Sequence, residues 1–262
     1  MSIHPRPHVN YDTIAPLYDR QPYREKTVDP ELLAFVAQRA PLAGLAILDI
    51  GCGTGNQVVA NRTVVPHTRW VGVDRSLGML RQAQPKAPDL AWIQTDSATL
   101  PLQPQSFDFI TCQYAFHHVQ DKAGMLREVL RVLRPGGRFV LSNIGPQDMA
   151  DWLYYQYFPE AQVCDYEDFW PPEAILAVME TLGFMAITVE RQHLRYEQDL
   201  RLWLDTVQRR ETCSQLLTIP DTAYEAGVRR LESELAAAPA PLVRMDHLCF
   251  VIIRGEKRTD CA

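Results

Sequence analysis

Within Ile47–Asn56, which reads ILDIGCGTGN, three glycines alternate at Gly51, Gly53 and Gly55, and Asp49 stands two residues before the first. Glycines in such a row let a ligand lie against bare backbone. The dinucleotide fingerprint is G-x-G-x-x-G, whereas here the third glycine comes one residue early. No phosphate-binding lysine follows, which excludes a Walker loop. A carboxylate at position 49 is a poor neighbour for a pyrophosphate and suits a ligand with an ammonium group. An adenosine cofactor with an amino-acid tail meets that description. Two further acids agree. Asp74 ends the apolar run WVGVD and could accept from both ribose hydroxyls. Asp96, followed by Ser97, could accept from an adenine amino group. Taken singly, the loop could be a tight turn and each acid a polar strand end.

The elements that must position these residues alternate in period. Strand-like runs occur at Ala46–Ile50, Trp70–Val73, Ala91–Gln94, Phe107–Cys112 and Arg138–Ser142, with helices or loops between them. Helices are expected at Tyr11–Tyr18, around Asp29–Gln38, and over Lys122–Leu133, which should stop at Pro135-Gly136-Gly137. This rhythm predicts an α/β fold, a doubly wound parallel sheet covered on both faces. It breaks after Asn143. Residues 146–170 carry Trp152, Tyr154, Tyr155, Tyr157, Phe158, Tyr166, Phe169 and Trp170. A helix at Pro172–Leu182, a strand at Met185–Val189, helical material over 198–236, an Ala/Pro linker at Ala236–Pro241 and a strand at His247–Ile253 complete the chain. One domain over 1–262 is expected, with a cofactor-binding core at 10–145 and cap elements at 146–183 and 190–245. The first nine residues read as a loose arm.

The motifs YDTIAPLYD, ILDIGCGTGN, VGVDRSLGMLRQA, TDSATLPLQPQSFDFI, AFHHV and EVLRVLRPGGRFVLSN occur in one order over about Tyr11–Asn143. In this the chain resembles the class I S-adenosylmethionine-dependent methyltransferases, in the type 11 branch that includes ubiquinone- and menaquinone-biosynthesis enzymes. The resemblance implies a Rossmann-like sheet of seven strands with an antiparallel last strand. It implies S-adenosyl-L-methionine as cofactor, with Gly51–Gly55 at the methionine part, Asp74 at the ribose and Asp96 with Ser97 at the adenine. It also draws Asp49, Cys52, Arg75, Met79 and Gln113 into that site. Tyr11 and Tyr18 become candidates for a lid, although they could equally pack their own helix onto the domain. Met79 could equally be an ordinary core residue.

Methyl transfer from a sulfonium is an in-line displacement, so the protein chiefly supplies alignment and a dry site. The segment Cys112–Ala115 should lie where the methyl emerges. It lacks the Asn/Asp-Pro-Pro-aromatic pattern of enzymes that methylate adenine or glutamine nitrogens. His117 and His118 are the nearest candidates for a general base, and packing is their alternative role. The aromatics of 146–170 predict either a partly apolar or aromatic small-molecule acceptor or the core of a cap. Arg195, Arg201 and Arg244 could hold an acidic group on the acceptor, or be surface residues.

The remaining composition narrows the classes. A chain of 262 residues with 47% hydrophobic and 22% charged residues is ordinary for a globular protein. A net charge of −6 disfavours nucleic acid as partner. No apolar run approaches a membrane span and no signal-peptide pattern opens the chain, so a cytoplasmic location is expected. The six cysteines show no metal-ligand spacing and predict reduced thiols without a metal; Cys164 and Cys213 lack the neighbours of a metalloid site. The expected function is transfer of a methyl group to a C, O, N or S nucleophile of a small molecule. A methyltransferase-fold binder without turnover and an RNA or protein methyltransferase are the alternatives. Oligomeric state is not legible from the sequence.

Overall fold

The computed structural model describes residues 9–20, 24–39, 42, 44–238 and 241–259. The N-terminal arm, Cys261 and part of the Ala/Pro linker lie outside them. In chain order the elements are α1 (Tyr11–Tyr18), α2 (Pro30–Ala37), β1 (Ala46–Ile50), α3 (Asn56–Arg62), β2 (Arg69–Asp74), α4 (Leu77–Ala83), β3 (Ala91–Gln94), β4 (Phe107–Gln113), α5 (Lys122–Val132) and β5 (Leu133–Ile144). There follow α6 (Leu153–Tyr157), α7 (Pro159–Asp168), α8 (Pro172–Leu182), β6 (Phe184–Asp199), α9 (Leu200–Val207), α10 (Ser214–Thr218), α11 (Asp221–Ala237) and β7 (Val243–Lys257).

The strands form one seven-stranded sheet in the order β3-β2-β1-β4-β5-β7-β6, with an antiparallel last strand. β1 sits inside it, buried at every position, and pairs in parallel with β2 (Leu48 beside Val71) and β4 (Leu48 beside Ile110). That explains its apolar run: a parallel strand covered on both faces has no wet side. Because the order reverses around β1, connections diverge at its carboxyl end, where such sheets hold ligands.

Two expectations of local structure are revised. Pro135-Gly136-Gly137 does not separate a helix from a strand; β5 already begins at Leu133 and absorbs the three residues at a register shift opposite Phe107 and Phe109. Gly136 there has φ +71°. β6 runs on to Asp199, well beyond Val189. Its second half is mostly polar and exposed, so backbone pairing at the sheet's edge, not an apolar pattern, sustains it.

The described residues gather into two compact units. The first comprises 11–143, 171–190 and the residues from 251 on. Asp29 caps α2 through the Glu31 N–H, and Asp121 caps α5 through Gly124 N–H. At the other end of α5, Lys257 Nζ donates to the carbonyls of Leu130 (2.9 Å) and Leu133 (2.9 Å). Helix α8, drawn by its sequence position into the expected cap at 146–183, groups with this unit. Gly255 of β7 packs so closely on it that a Cβ would lie 2.4 Å from Met179 Cε.

The second unit takes in 144–170 and 191–250. Its centre is aromatic: Trp203 of α9 meets Tyr154 (ring centroids 5.2 Å apart), Tyr157 (5.3 Å) and Phe158 (6.4 Å), and Phe158 stacks on Tyr224 at 6.0 Å. Trp152, Tyr155, Tyr157, Phe158 and Phe169 are buried, while Tyr166 is exposed. The aromatic run therefore builds this unit's own core, one of the two roles its sequence allowed.

Candidate functional site

The alternating glycines occupy the turn from β1 into α3 with φ of +71°, +53° and +77° at Gly51, Gly53 and Gly55. Their reasons differ. A Cβ on Gly51 would lie 2.3 Å from the Ala115 Cβ, and one on Gly55 would lie 2.7 Å from the Trp92 ring. Those two are glycine because protein packs against them. A Cβ on Gly53 would meet nothing within 4 Å, so this backbone faces open space. Gly53 is the position where a ligand can approach bare main chain.

Asp74, at the end of β2, accepts from Gly53 N–H on one oxygen and from Ser76 N–H on the other, each at 2.8 Å. Burial pushes its carboxyl up, against the pull of those two bonds. Asp49 is more secluded, with 3% of its surface exposed, and its carboxylate has no hydrogen bond among the described residues. Burial, then the nearby carboxylates of Asp29 and Asp74, push it up to about 8, and Lys26 opposes them. Thr111, in register with Asp49 on β4, is fully buried and its hydroxyl also lacks a partner among the described residues. Asp29 is engaged: it accepts from Glu31 N–H (2.9 Å) and from Gln113 Nε2 (2.7 Å). Gln113 thus belongs to the acid cluster through Asp29.

Helix α1 is tied to the start of α4 at its first turn and to the glycine turn just past its end. Asp12 accepts from Ser76 Oγ (2.7 Å) and Gly78 N–H (2.6 Å), bonds that hold its carboxyl below the usual range. Asp19 accepts from Thr54 Oγ1 (2.6 Å) and Asn56 Nδ2 (3.0 Å) and pairs with Lys86 at 2.5 Å. Between these ties, Tyr11 lies edge-on to Tyr18 at 6.4 Å, and the Arg24 guanidinium sits 3.9 Å above the Tyr18 ring. A 2.6 Å hydrogen bond joins Tyr11 Oη to His118 Nε2.

The two histidines, equivalent in sequence, part here. His117 Nδ1 lies 3.2 Å from Asn143 Nδ2, and burial, then His118, hold its ring well below the usual imidazole range, in the neutral form. His118 meets the Tyr11 phenol. The other residues singled out by sequence lie along the turns that follow β1, β2 and β3 and in α4. Met79 is buried in α4 and its N–H donates to Ser76 Oγ. Burial and the charges of Asp49 and Asp74 push the Cys52 thiol up, which makes it an inert core thiol. Arg75 is exposed, as is Asp96, whose carboxylate accepts from Ala98 N–H at 2.8 Å; Ser97 is half-buried beside it. Asp12, Asp19, Asp29, Thr111 and Lys26 were not singled out by residue type. The acids at both ends of YDTIAPLYD were the available signal for the first two.

Clustered buried acids around open glycine backbone form an acceptor set for a ligand that carries positive charge and N–H or O–H donors. No group of three or more metal-ligating side chains occurs among the described residues, and the five cysteines among them are free. No helix among them is long and apolar enough to cross a membrane.

Residues 48–141 match the family described as "Methyltransferase domain". The chain is 29% identical over 206 residues to the 2-phytyl-1,4-naphtoquinone methyltransferase of Thermosynechococcus vestitus, covering 66% of this chain and 88% of that protein. It is 31% identical over 176 residues to the demethylmenaquinone methyltransferase of Roseiflexus castenholzii, covering 59% of this chain and 74% of that protein. In fold it is similar to phosphoethanolamine N-methyltransferase 2 of Haemonchus contortus, solved with S-adenosyl-L-methionine. The TM-score is 0.58 at 21% identity, over 95% of this chain and 57% of that one. The chain belongs to the type 11 branch of the S-adenosylmethionine-dependent methyltransferases, enzymes that take a methyl group from that cofactor.

Proposed function

We propose that this methyltransferase acts on a small, partly apolar or aromatic acceptor, a reduced naphthoquinone-like ring being the leading candidate, in the cytoplasm. The observation that carries the placement of the site is the hydrogen bond of Gly53 N–H to Asp74, in whose field the buried Asp49 lies, at a glycine whose backbone faces open space. When bound there, S-adenosylmethionine supplies a methyl group already activated on a sulfonium sulfur. Asp49 faces its ammonium group, Asp74 accepts from its ribose hydroxyls, and Asp96 with Ser97 lies toward its adenine. Gly51, Gly55, Cys52, Met79, Arg75 and Gln113 shape or support that cradle. Tyr18 and Tyr11, on the tied helix α1, cover it.

A ring-carbon acceptor must lose a proton as the new carbon–carbon bond forms, and His118 is the group suited to take it, oriented by Tyr11. His117 is held neutral and bonded to Asn143, and serves as support. The acceptor class rests on the two relatives named for quinone methylation. The test is incubation with S-adenosylmethionine and reduced 2-phytyl-1,4-naphthoquinone, with mass spectrometry of the product. A mass gain of one methyl on the ring, with release of S-adenosylhomocysteine, is the expected result. Methylation of phosphoethanolamine and not of the quinol would overturn the acceptor class and leave the cofactor site standing.

A further inference from the structure

The second unit holds a pair of histidines that nothing so far has used, His193 on β6 and His247 on β7. His193 Nδ1 lies 3.0 Å from His247 Nε2, and the rings run nearly parallel, 25° apart with centroids at 5.2 Å. Two neutral imidazoles so placed share one N–H. Moving that proton to the donor ring's other nitrogen, an ordinary tautomer change, leaves a lone pair on each facing nitrogen. The backbone beneath the pair is fixed by Asp246. It accepts from the N–H groups of His247 (2.9 Å) and Leu153 (3.0 Å) and from the hydroxyl of Tyr196 on β6 (2.9 Å). His247 is 8% exposed, whereas His193 is exposed, so water reaches the pair from one side. Arg191 and Arg195 share the face of His193 by strand alternation. Arg191 pairs with Asp148 at 2.9 Å and Arg195 is exposed, so neither buries an unpaired positive charge beside the rings.

The separation of the two nitrogens selects among ions. A metal about 2.0–2.1 Å from both would see them about 90–97° apart, a cis pair of a square or an octahedron. A tetrahedral ion at the same bond length wants its ligand nitrogens about 3.3–3.4 Å apart. Imidazoles in a tetragonal arrangement suit Cu2+ and Ni2+ ahead of Zn2+, and Cu2+ stands highest in the affinity order. We propose that His193 and His247 form a two-imidazole site for a tetragonal divalent ion, Cu2+ before Ni2+, with water in the remaining positions. No third His, Cys, Asp or Glu joins them among the described residues, so the site is an open grip and not a closed structural centre. It stands apart from the methyl-transfer reading and does not rest on it. An ion held there clamps β6 to β7 within the second unit, at the point that Asp246 already braces.

The experiment is calorimetric titration of the full chain, free of any purification tag, with Cu2+ and separately with Zn2+. Wild type is compared with His193→Ala and His247→Gln. The chain's other histidines act alike in all three proteins, so the difference between them is what is read. Wild type is expected to take up one Cu2+ more than either variant, and to hold Zn2+ at that site at least about tenfold more weakly. Loss of one ring should weaken Cu2+ there by a hundredfold or more, since even an outer partner of a metal ligand is worth about ten- to a hundredfold. The paramagnetic resonance spectrum of copper-loaded wild type minus that of His193→Ala should be axial, with coupling to two nitrogens. An equal Cu2+ count in wild type and His193→Ala would overturn the proposal. A difference spectrum with one coupled nitrogen would overturn it too, because one ring then binds alone and the pair is only a hydrogen bond. Zn2+ held as tightly as Cu2+ would overturn the tetragonal geometry. His193 is exposed, so its removal keeps the fold and decides the matter even where His247→Gln does not fold.

Discussion

Asp49 of the first unit and Asp246 of the second are equally withdrawn from water, at 3% and 2% exposure, yet their surroundings are opposite. Asp246 accepts from the N–H groups of Leu153 (3.0 Å) and His247 (2.9 Å) on one oxygen and from the Tyr196 hydroxyl (2.9 Å) on the other. Asp49 accepts nothing from a described residue, and two other carboxylates crowd it. A buried charge that is fully hydrogen-bonded fastens a structure; one left without donors costs stability and persists where something else uses it. The second unit spends its acid on architecture, tying β7 to the start of α6, whereas the first keeps its acid available.

Mutations should break this comparison in opposite directions. Asp246→Ala leaves three donors unpaired and is expected to lower the unfolding free energy by about 3–5 kcal/mol, read by urea denaturation. A loss below about 1 kcal/mol would show that the contacts of Asp246 do not bear the second unit's stability. Asp74→Ala should weaken S-adenosylhomocysteine by about 1.5–3 kcal/mol in calorimetry, and unchanged affinity would sink the ribose assignment.

Asp49→Asn should do what a core mutation rarely does, and stabilise the ligand-free protein. Its folded carboxyl is raised to about 8 from an ordinary 3.8, so between those values the folded state holds a proton that the unfolded chain has released. Its contribution therefore falls as pH rises through that window, by at most ~1.4 kcal/mol per pH unit. The gap between variant and wild type should widen steadily from pH 5 to pH 8, while binding of S-adenosylhomocysteine weakens. A constant gap would place the titration elsewhere. Tyr11→Phe should lower turnover by roughly tenfold and leave S-adenosylhomocysteine affinity within about twofold, since the lost bond orients His118. The smallest effect is expected at Asp96→Ala: an exposed acid should contribute less than about 1 kcal/mol to binding.

The parts of this organisation that were legible in the sequence are local in it. The glycine turn, the acid before it and the acid that ends the next strand sit in short motifs whose chemistry restricts them, and the helix expected at Pro172–Leu182 is α8. What the sequence hid depends on contacts across distance. Asp29 caps α2, and only the fold brings Gln113 and Asp49 near it. His117 and His118 are adjacent letters, and one turn of backbone sends one to Asn143 and the other to Tyr11. The aromatic run declares bulk without direction. It became a core because Trp203 and Tyr224, from later helices, close on it.

The first unit is not one continuous stretch of chain: residues 144–170 and 191–250 intervene before β7 supplies its part. The glycine turn and its acids leave the ribosome before the second unit is made, but the strand that lies between β5 and β6 emerges after every other strand of the sheet. Lys257 reaches back across 124 to 127 residues to finish the end of α5. Contacts so far apart in sequence close slowly. A nascent chain stalled before residue 251 would thus carry the complete cofactor motif on an unfinished sheet with β5 at an open edge. Protease resistance during synthesis should arrive late and in one step, when β7 clears the exit tunnel.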